Sequence, residues 1–278
     1  MSDERGPERK GAGTYLFVRP RANSRGPEDE GSVLLQSEGQ PPRGDDIASL
    51  RPEIQGERRG APSLPLRYRR PRLLAPEIDG RLVLFVEPDG ANASRYRQAA
   101  AALLKARGTK RRLWIAGVAP GVGGTLTTMN IAAALAEQRR ITIVQMGAHR
   151  RVIAKSSFGL ADRTFAEEAE RRTLDLWLVA DQLAIMPNPL TLPLSAEGEE
   201  VLASLTAAAD VVVIDGPAAD DLDGIAAMRG HVDGVLLVAR PVDLATGRFE
   251  AALGRLSGFR MIGTFLNGTP DEVMRVGG

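Results

Sequence analysis

Five runs of consecutive apolar residues constrain this chain more than any other feature: Arg112–Gly117, Ile141–Gln145, Val211–Asp215, Gly234–Ala239 and Met261–Leu266. Each has the length of a strand, and none alternates apolar with polar. Such runs need cover on both faces, the property of strands inside a parallel sheet. Leu82–Val86 and Leu183–Met186 read as two further short strands. Helical stretches fit between them: Ala91–Ala106, about 125–138, Ala196–Ala208 and Ala245–Leu256. Buried strands separated by helices predict a doubly wound α/β fold, a mostly parallel sheet flanked by helices.

The pattern begins only near residue 80. The first 72 residues hold half of the chain's 18 prolines and mix 14 basic with 11 acidic side chains, leaving few apolar residues to offset the entropy of ordering. The sequence therefore predicts a disordered tail over residues 1–75 and an α/β domain over 80–278. Within the tail, Arg67-Tyr-Arg-Arg-Pro-Arg72 is either a solvated charge run or a dock for acidic lipid or an acidic partner. With no cysteine there is no disulfide framework, thiol nucleophile or iron–sulfur cluster, and two histidines make a multi-histidine metal site an unfavoured expectation. A net charge of +1 gives no general case for nucleic acid. No apolar run reaches the length of a membrane span and the start is too polar for a signal peptide, so the expected location is cytoplasmic.

Ligands of open parallel sheets bind beyond the carboxyl ends of the strands, where a glycine-rich turn into a helix offers backbone N–H groups to an anion. Here that turn is Gly117-Val-Ala-Pro-Gly-Val-Gly-Gly-Thr-Leu-Thr-Thr128. A working phosphate loop follows G-x-x-x-x-G-K-[ST], with the lysine on the β/γ-phosphates and the hydroxyl on Mg²⁺. Gly117 and Gly123 occupy the two glycine positions and Thr125 keeps the hydroxyl, but Gly124 stands at the lysine position. Of the 36 basic residues only Lys10, Lys105, Lys110 and Lys155 are lysines, and none lies in the loop.

Several segments, in order over two thirds of the chain, resemble the cytoplasmic kinase domain of the bacterial tyrosine kinases (BY-kinases) of polysaccharide export, the CpsD/CapB type, within the MinD/ParA-like P-loop ATPase superfamily. Pro120-Gly-Val-Gly-Gly-Thr-Leu-Thr-Thr-Met-Asn130 is similar to that family's P-G-E-G-K-S-T-T-x-x-N loop. Pro88–Arg97 resembles the segment leading into its ring-assembly helix, and Leu183–Leu190 its L-x-V-L-P-A-G stretch. Val211–Pro217 resembles its Walker B strand, while Gly234–Arg240 and Ile262–Asn267 resemble its last two strands. The resemblance implies a P-loop NTPase-like domain whose nucleotide site comprises Pro120, Gly121, Val122, Gly123, Gly124, Thr125, Leu126, Asp215 and Asn267. Thr125 and Asp215 would hold Mg²⁺ if nucleotide binds.

The departures fall on the chemistry. The family's second acidic motif, D-x-D, is replaced by Gln145 and Gly147, and Leu126 replaces a hydroxyl that contacts the α-phosphate. The additional lysine of the MinD/ParA branch would sit at Ala119, and the chain shows no tyrosine-rich stretch after Tyr96. Phosphoryl transfer relies on positioning and charge, so these losses predict a degraded site with no catalytic residue and weak or absent ATP/ADP–Mg binding. The implied role is regulation or scaffolding of exopolysaccharide or capsule export with a membrane chain-length adaptor. Homo- or hetero-oligomers with BY-kinase-like subunits are also implied, as is an inner-membrane position reached through the partner. The alternatives are an active ATPase or tyrosine autokinase with a cation from Lys155, an arginine or another subunit, and a MinD/ParA-like positioning ATPase. Asp215 is either the Walker B acid or a strand-end cap, and Asn267 either reads a base or ends its strand. His149, Arg150 and Arg151 are surface residues or phosphate and subunit contacts. Tyr96 belongs to an interface or is half-buried, and Trp114 and Trp177 to the core.

Overall fold

A computed structural model of the chain describes residues 64–71, 73, 78–105, 112–147, 157–158 and 173–268, together with the backbone of 13–17. A second unit, Pro20–Gly60, lies outside the described residues. Nine strands form one sheet: β1 (Gly13–Phe17), β2 (Leu66–Arg69), β3 (Arg112–Gly117), β4 (Ile141–Gln145), β5 (Leu174–Ala180), β6 (Leu183–Ile185), β7 (Val211–Asp215), β8 (Gly234–Ala239) and β9 (Met261–Gly268). Their order is β1-β9-β8-β3-β7-β4-β6-β5-β2. The pairs from β9 to β6 are all parallel; β1 joins β9 and β5 joins β6 antiparallel, and β2 joins β5 in parallel. The continuous apolar runs are the central strands, and every residue of β4 and β8 is buried. The doubly wound α/β class is thus the observed one.

Helices fill the connections: α1 (Val83–Val86), α2 (Ala91–Lys105), α3 (Gly124–Ala136), α4 (Ala196–Ala208), α5 (Leu222–Ala227), α6 (Pro241–Ala245) and α7 (Arg248–Arg255). The crossover through α3 runs from β3 past β7 to β4, while those after β6, β7 and β8 run the other way along the sheet. Right-handed crossovers then place α3 on one face and α4 to α7 on the other. α3 is apolar nearly all round, with ten of its residues buried, because the sheet lies on one side of it and α2 on the other. Alanines 93, 99 and 100 of α2 are buried, and their small side chains permit that close packing. Ser195 and Asp221 cap α4 and α5 by accepting from the N–H groups of Gly198 and Gly224. None of the described helices is long and apolar enough to cross a membrane.

Three expectations change. Leu82–Val86 is not a strand but the entry to α1: Leu82 is fully buried, and Phe85 meets Phe158 edge-on at 5.2 Å, so the run packs through side chains instead of pairing its backbone. The helix expected over Ala245–Leu256 begins only at Arg248, as α7, after Gly247, whose φ of 69° is left-handed, and a separate short helix, α6, precedes it. Strand β5, which had no sequence signal of its own, is added, and β1 and β2 fall within residues 1–75.

Tyr96 on α2 is buried and stacks on Phe265 of β9 at 5.2 Å. Burial pushes its phenol up to about 12, the Thr127 and Asn130 side chains beside it offsetting part of the effect. A folded-state value above the unfolded one favours the folded state below pH 10 and loses that advantage as pH rises toward 12. Stability should therefore fall by about 3 kcal/mol between about pH 10 and 12. Denaturant titrations across that window check this, and Tyr96→Phe should remove that part of the slope.

Candidate functional site

Chain direction along the sheet reverses between β3 and β7, which opens a crevice at their carboxyl ends. Into it come the loop after β3, the acid ending β7 and the last residue of β4. The loop stem is fixed on both sides: Val118 N–H donates to Val238 O of β8 at 2.9 Å, and Ala219 N–H, after β7, to Gly117 O at 2.7 Å. Val122 turns inward and is buried, while Pro120 and Gly121 face solvent. Gly123 then caps α3 in the left-handed region, at φ 93°.

Asp215 is 2% exposed, yet its carboxylate is well supplied with donors. Thr125 Oγ1 donates to its Oδ2 at 3.0 Å and Gln145 Nε2 to the same oxygen at 3.2 Å. Thr128 Oγ1 stands 3.5 Å from Oδ1 while also donating to Gly124 O at 3.0 Å. Thr125 and Thr128 are three apart and so share the face of α3 that looks at β7. Gln145 ends β4, which pairs with β7 so that Gln145 lies opposite Asp215. A buried carboxylate is costly unless it is hydrogen-bonded, and Thr125 and Gln145 meet that need from within the protein.

Asn267 takes a place the sequence did not foresee. Its Nδ2 donates to Val122 O at 3.0 Å, and the amide lies where a side chain on Gly123 would project. It closes over the loop instead of merely ending β9. Gly123→Ala should accordingly cost about 2–3 kcal/mol, combining a left-handed alanine with loss of the Asn267 bond; thermal unfolding measures it, and Asn267→Ala should recover part of the clash. Gly124 differs: a Cβ there would stand 3.4 Å from Gly117 N, an ordinary contact, so the backbone admits a Cβ at the lysine position.

Of the expected residues, the fold brings together Gly123, Gly124, Thr125, Asp215 and Asn267 around one crevice, with Val122 beneath them. Leu126 is half-buried and packs against the core. Gln145, noted in the sequence only as a lost acid, and Thr128, which was not singled out, complete the carboxylate's surroundings; the three-residue spacing within Thr125-Leu-Thr-Thr128 was the available sign for Thr128. Gly147, the other departure from the acidic motif, has φ 106° and its N–H donates to Leu190 O at 2.9 Å. His149, Arg150, Arg151 and Lys155 lie outside the described residues. Trp114 and Trp177 are core residues.

Comparison with solved structures gives the same fold. The chain is 24% identical to the BceF tyrosine kinase domain, with a TM-score of 0.53 over 69% of this chain and 84% of that one. The chimerical protein CapA2B2 matches at 15% identity and TM-score 0.53, over 68% and 90% of the two chains. The kinase domain of the Escherichia coli tyrosine kinase ETK matches at 17% and 0.50, over 68% and 80%. No family model and no curated protein matches the sequence.

Proposed function

We propose that this chain is a BY-kinase-like phosphate-loop protein that no longer transfers phosphate. It acts as a regulatory or scaffolding partner of a membrane chain-length adaptor in exopolysaccharide or capsule biosynthesis and export, reaches the inner face of the membrane through that partner, and assembles with copies of itself or with related subunits. The observation that carries the non-catalytic part is the closed network on Asp215, beside a loop whose lysine position is Gly124. The fold supports the kinase-like frame, and the pathway rests on the sequence resemblance.

Bound Mg²⁺–ATP supplies the phosphoryl group and the metal charge that offsets the phosphates. The residues present fit it poorly. The carboxylate meant for metal or its water already accepts from Thr125 and Gln145, and the acid of β4 has become the donor Gln145. Each factor of ten in rate corresponds to about 1.4 kcal/mol, and three losses of transition-state stabilisation together remove efficient turnover.

Isothermal titration with ATP and Mg²⁺, joined to a turnover assay, tests this reading. The expected result is weak or absent binding and no turnover above that of Asp215→Asn. Tight, magnesium-dependent binding with turnover that Asp215→Asn abolishes overturns it in favour of an active ATPase or autokinase. Under that alternative Tyr15 and Tyr68, the latter 49% exposed, are the acceptors to look for by phosphotyrosine mass spectrometry, because Tyr96 is buried.

A further inference from the structure

Strand β9 runs on past its parallel neighbour. β8 pairs with it from Met261, opposite Val235, to Leu266, opposite Ala239, and that ladder stops there. Asn267 and Gly268 continue the strand against β1, with Thr14 opposite Asn267 and Gly13 opposite Gly268. The same antiparallel register carries β1 back along β9 to Phe17, opposite Thr264. Among the described residues, then, the N-terminal strand alone pairs with the end of β9 that bears Asn267.

That end is where the sheet meets the phosphate loop. Asn267 Nδ2 donates to Val122 O at 3.0 Å and occupies the space beside Gly123, the residue that caps α3. The bonds of Gly117 and Val118 fix the stem of the loop and α3 fixes its far side; the Asn267 amide reaches the backbone between them. A residue at a strand end is held by its ladder, and one with no partner on either side regains its φ and ψ freedom and loses the aim of its side chain. β1 therefore positions Asn267, and Asn267 positions the loop.

We propose that β1 is a latch on the phosphate loop. Paired with β9, it keeps the Asn267 amide on Val122 and Gly123 and closes the loop to anions; released, it lets the loop accept the phosphates of a nucleoside diphosphate. The latch can open by itself, because β1 is an edge strand of five residues with a neighbour on one side only, and β9 keeps β8 on its other side. Opening of that kind is local and needs far less than global unfolding. The proposal rests on reading the crevice as a phosphate-loop frame, and it holds whether or not that frame turns nucleotide over.

Amide hydrogen exchange and ADP titration of the full chain test the latch, with Thr14→Pro and Tyr15→Pro as the variants. The N–H groups of successive strand residues point to opposite sides, so one proline removes a ladder donor to β9 and the other is its control. The ladder-breaking variant should speed exchange about tenfold at Asn267 and Gly268 and at Gly123–Thr125, as expected for the loss of one or two backbone hydrogen bonds. Its affinity for ADP should rise by a similar factor, while the control matches the parent chain. Amides of β8 should exchange at the parent rate in both variants, which shows the sheet intact. Asn267→Ala should raise ADP affinity as much, and joining it to the ladder-breaking proline should add nothing, because both act through one amide. Variants that behave like the parent, equal effects of the two prolines, additive gains, or faster exchange at Asn267 with unchanged ADP affinity each overturn the latch. Turnover of ATP by the released chain would support the latch and overturn the non-catalytic reading instead.

Discussion

Asp215→Ala is expected to destabilise the protein by about 3 kcal/mol, and the sign matters more than the size. In a site kept ready for metal, the acid is held against its own desolvation cost, so its removal leaves stability unchanged or raises it. Here the carboxylate accepts from Thr125 and Gln145 and stands within reach of Thr128. Gln145 is buried, so truncating Asp215 removes the acceptor its amide reaches at 3.2 Å in a space water enters poorly, while Thr128 keeps its bond to Gly124 O. Thr125 is exposed and loses less, because solvent replaces its partner. Asp215→Asn should cost only about 1 kcal/mol: the volume is kept, and a turned Gln145 amide presents its oxygen to the new donor. Denaturant unfolding of the two variants measures both values. A stabilised Asp215→Ala would mean that the acid is held for a ligand and would remove the main support for a non-catalytic site.

How far such a site can be read from sequence depends on how many strands it draws together. Strands β3, β4, β7, β8 and β9 were legible because burial on both faces writes itself as an unbroken apolar run. Strand β2 was not, since an edge strand has a neighbour on one side only, and three of its four residues are exposed, two of them arginines. Strand β5 carries Asp175 beside Trp177 and pairs antiparallel, so its sequence lacks the unbroken apolar character of the centre. Leu82–Val86 misled for a related reason: five apolar residues do not say whether a segment hides its backbone by pairing or by turning. At the site, the loop, Thr125 and Asp215 follow from local spacing. The roles of Gln145 and Asn267 come from registers, Gln145 opposite Asp215 and Asn267 above Gly123, which join segments far apart in the chain.

Restoring the missing cation separates what the loop lost from what it kept. Gly124→Lys meets no clash at its Cβ, because the nearest atoms to a new Cβ are Gly117 N and Cα at 3.4 and 3.7 Å. The same change at Gly123 is blocked by Asn267 and by a left-handed backbone. A lysine at 124 adds a charge-assisted bond to phosphate oxygens, about 1.5–3 kcal/mol, so affinity for ATP or ADP should rise by roughly tenfold to a hundredfold. Turnover should stay at the parent level, since Gln145 still donates to Asp215 and Gly147 offers no carboxylate. Titration calorimetry with a phosphate-release assay distinguishes the outcomes. A gain in binding without turnover means that the glycine frame survives as an anion cup and that the acidic pair, more than the lysine, bars the chemistry. Turnover from this single change would show instead that one cation was all the site lacked. No gain in binding would mean that Asn267, lying over Gly123, closes the loop to phosphate altogether, and Gly124→Lys combined with Asn267→Ala should then reopen it.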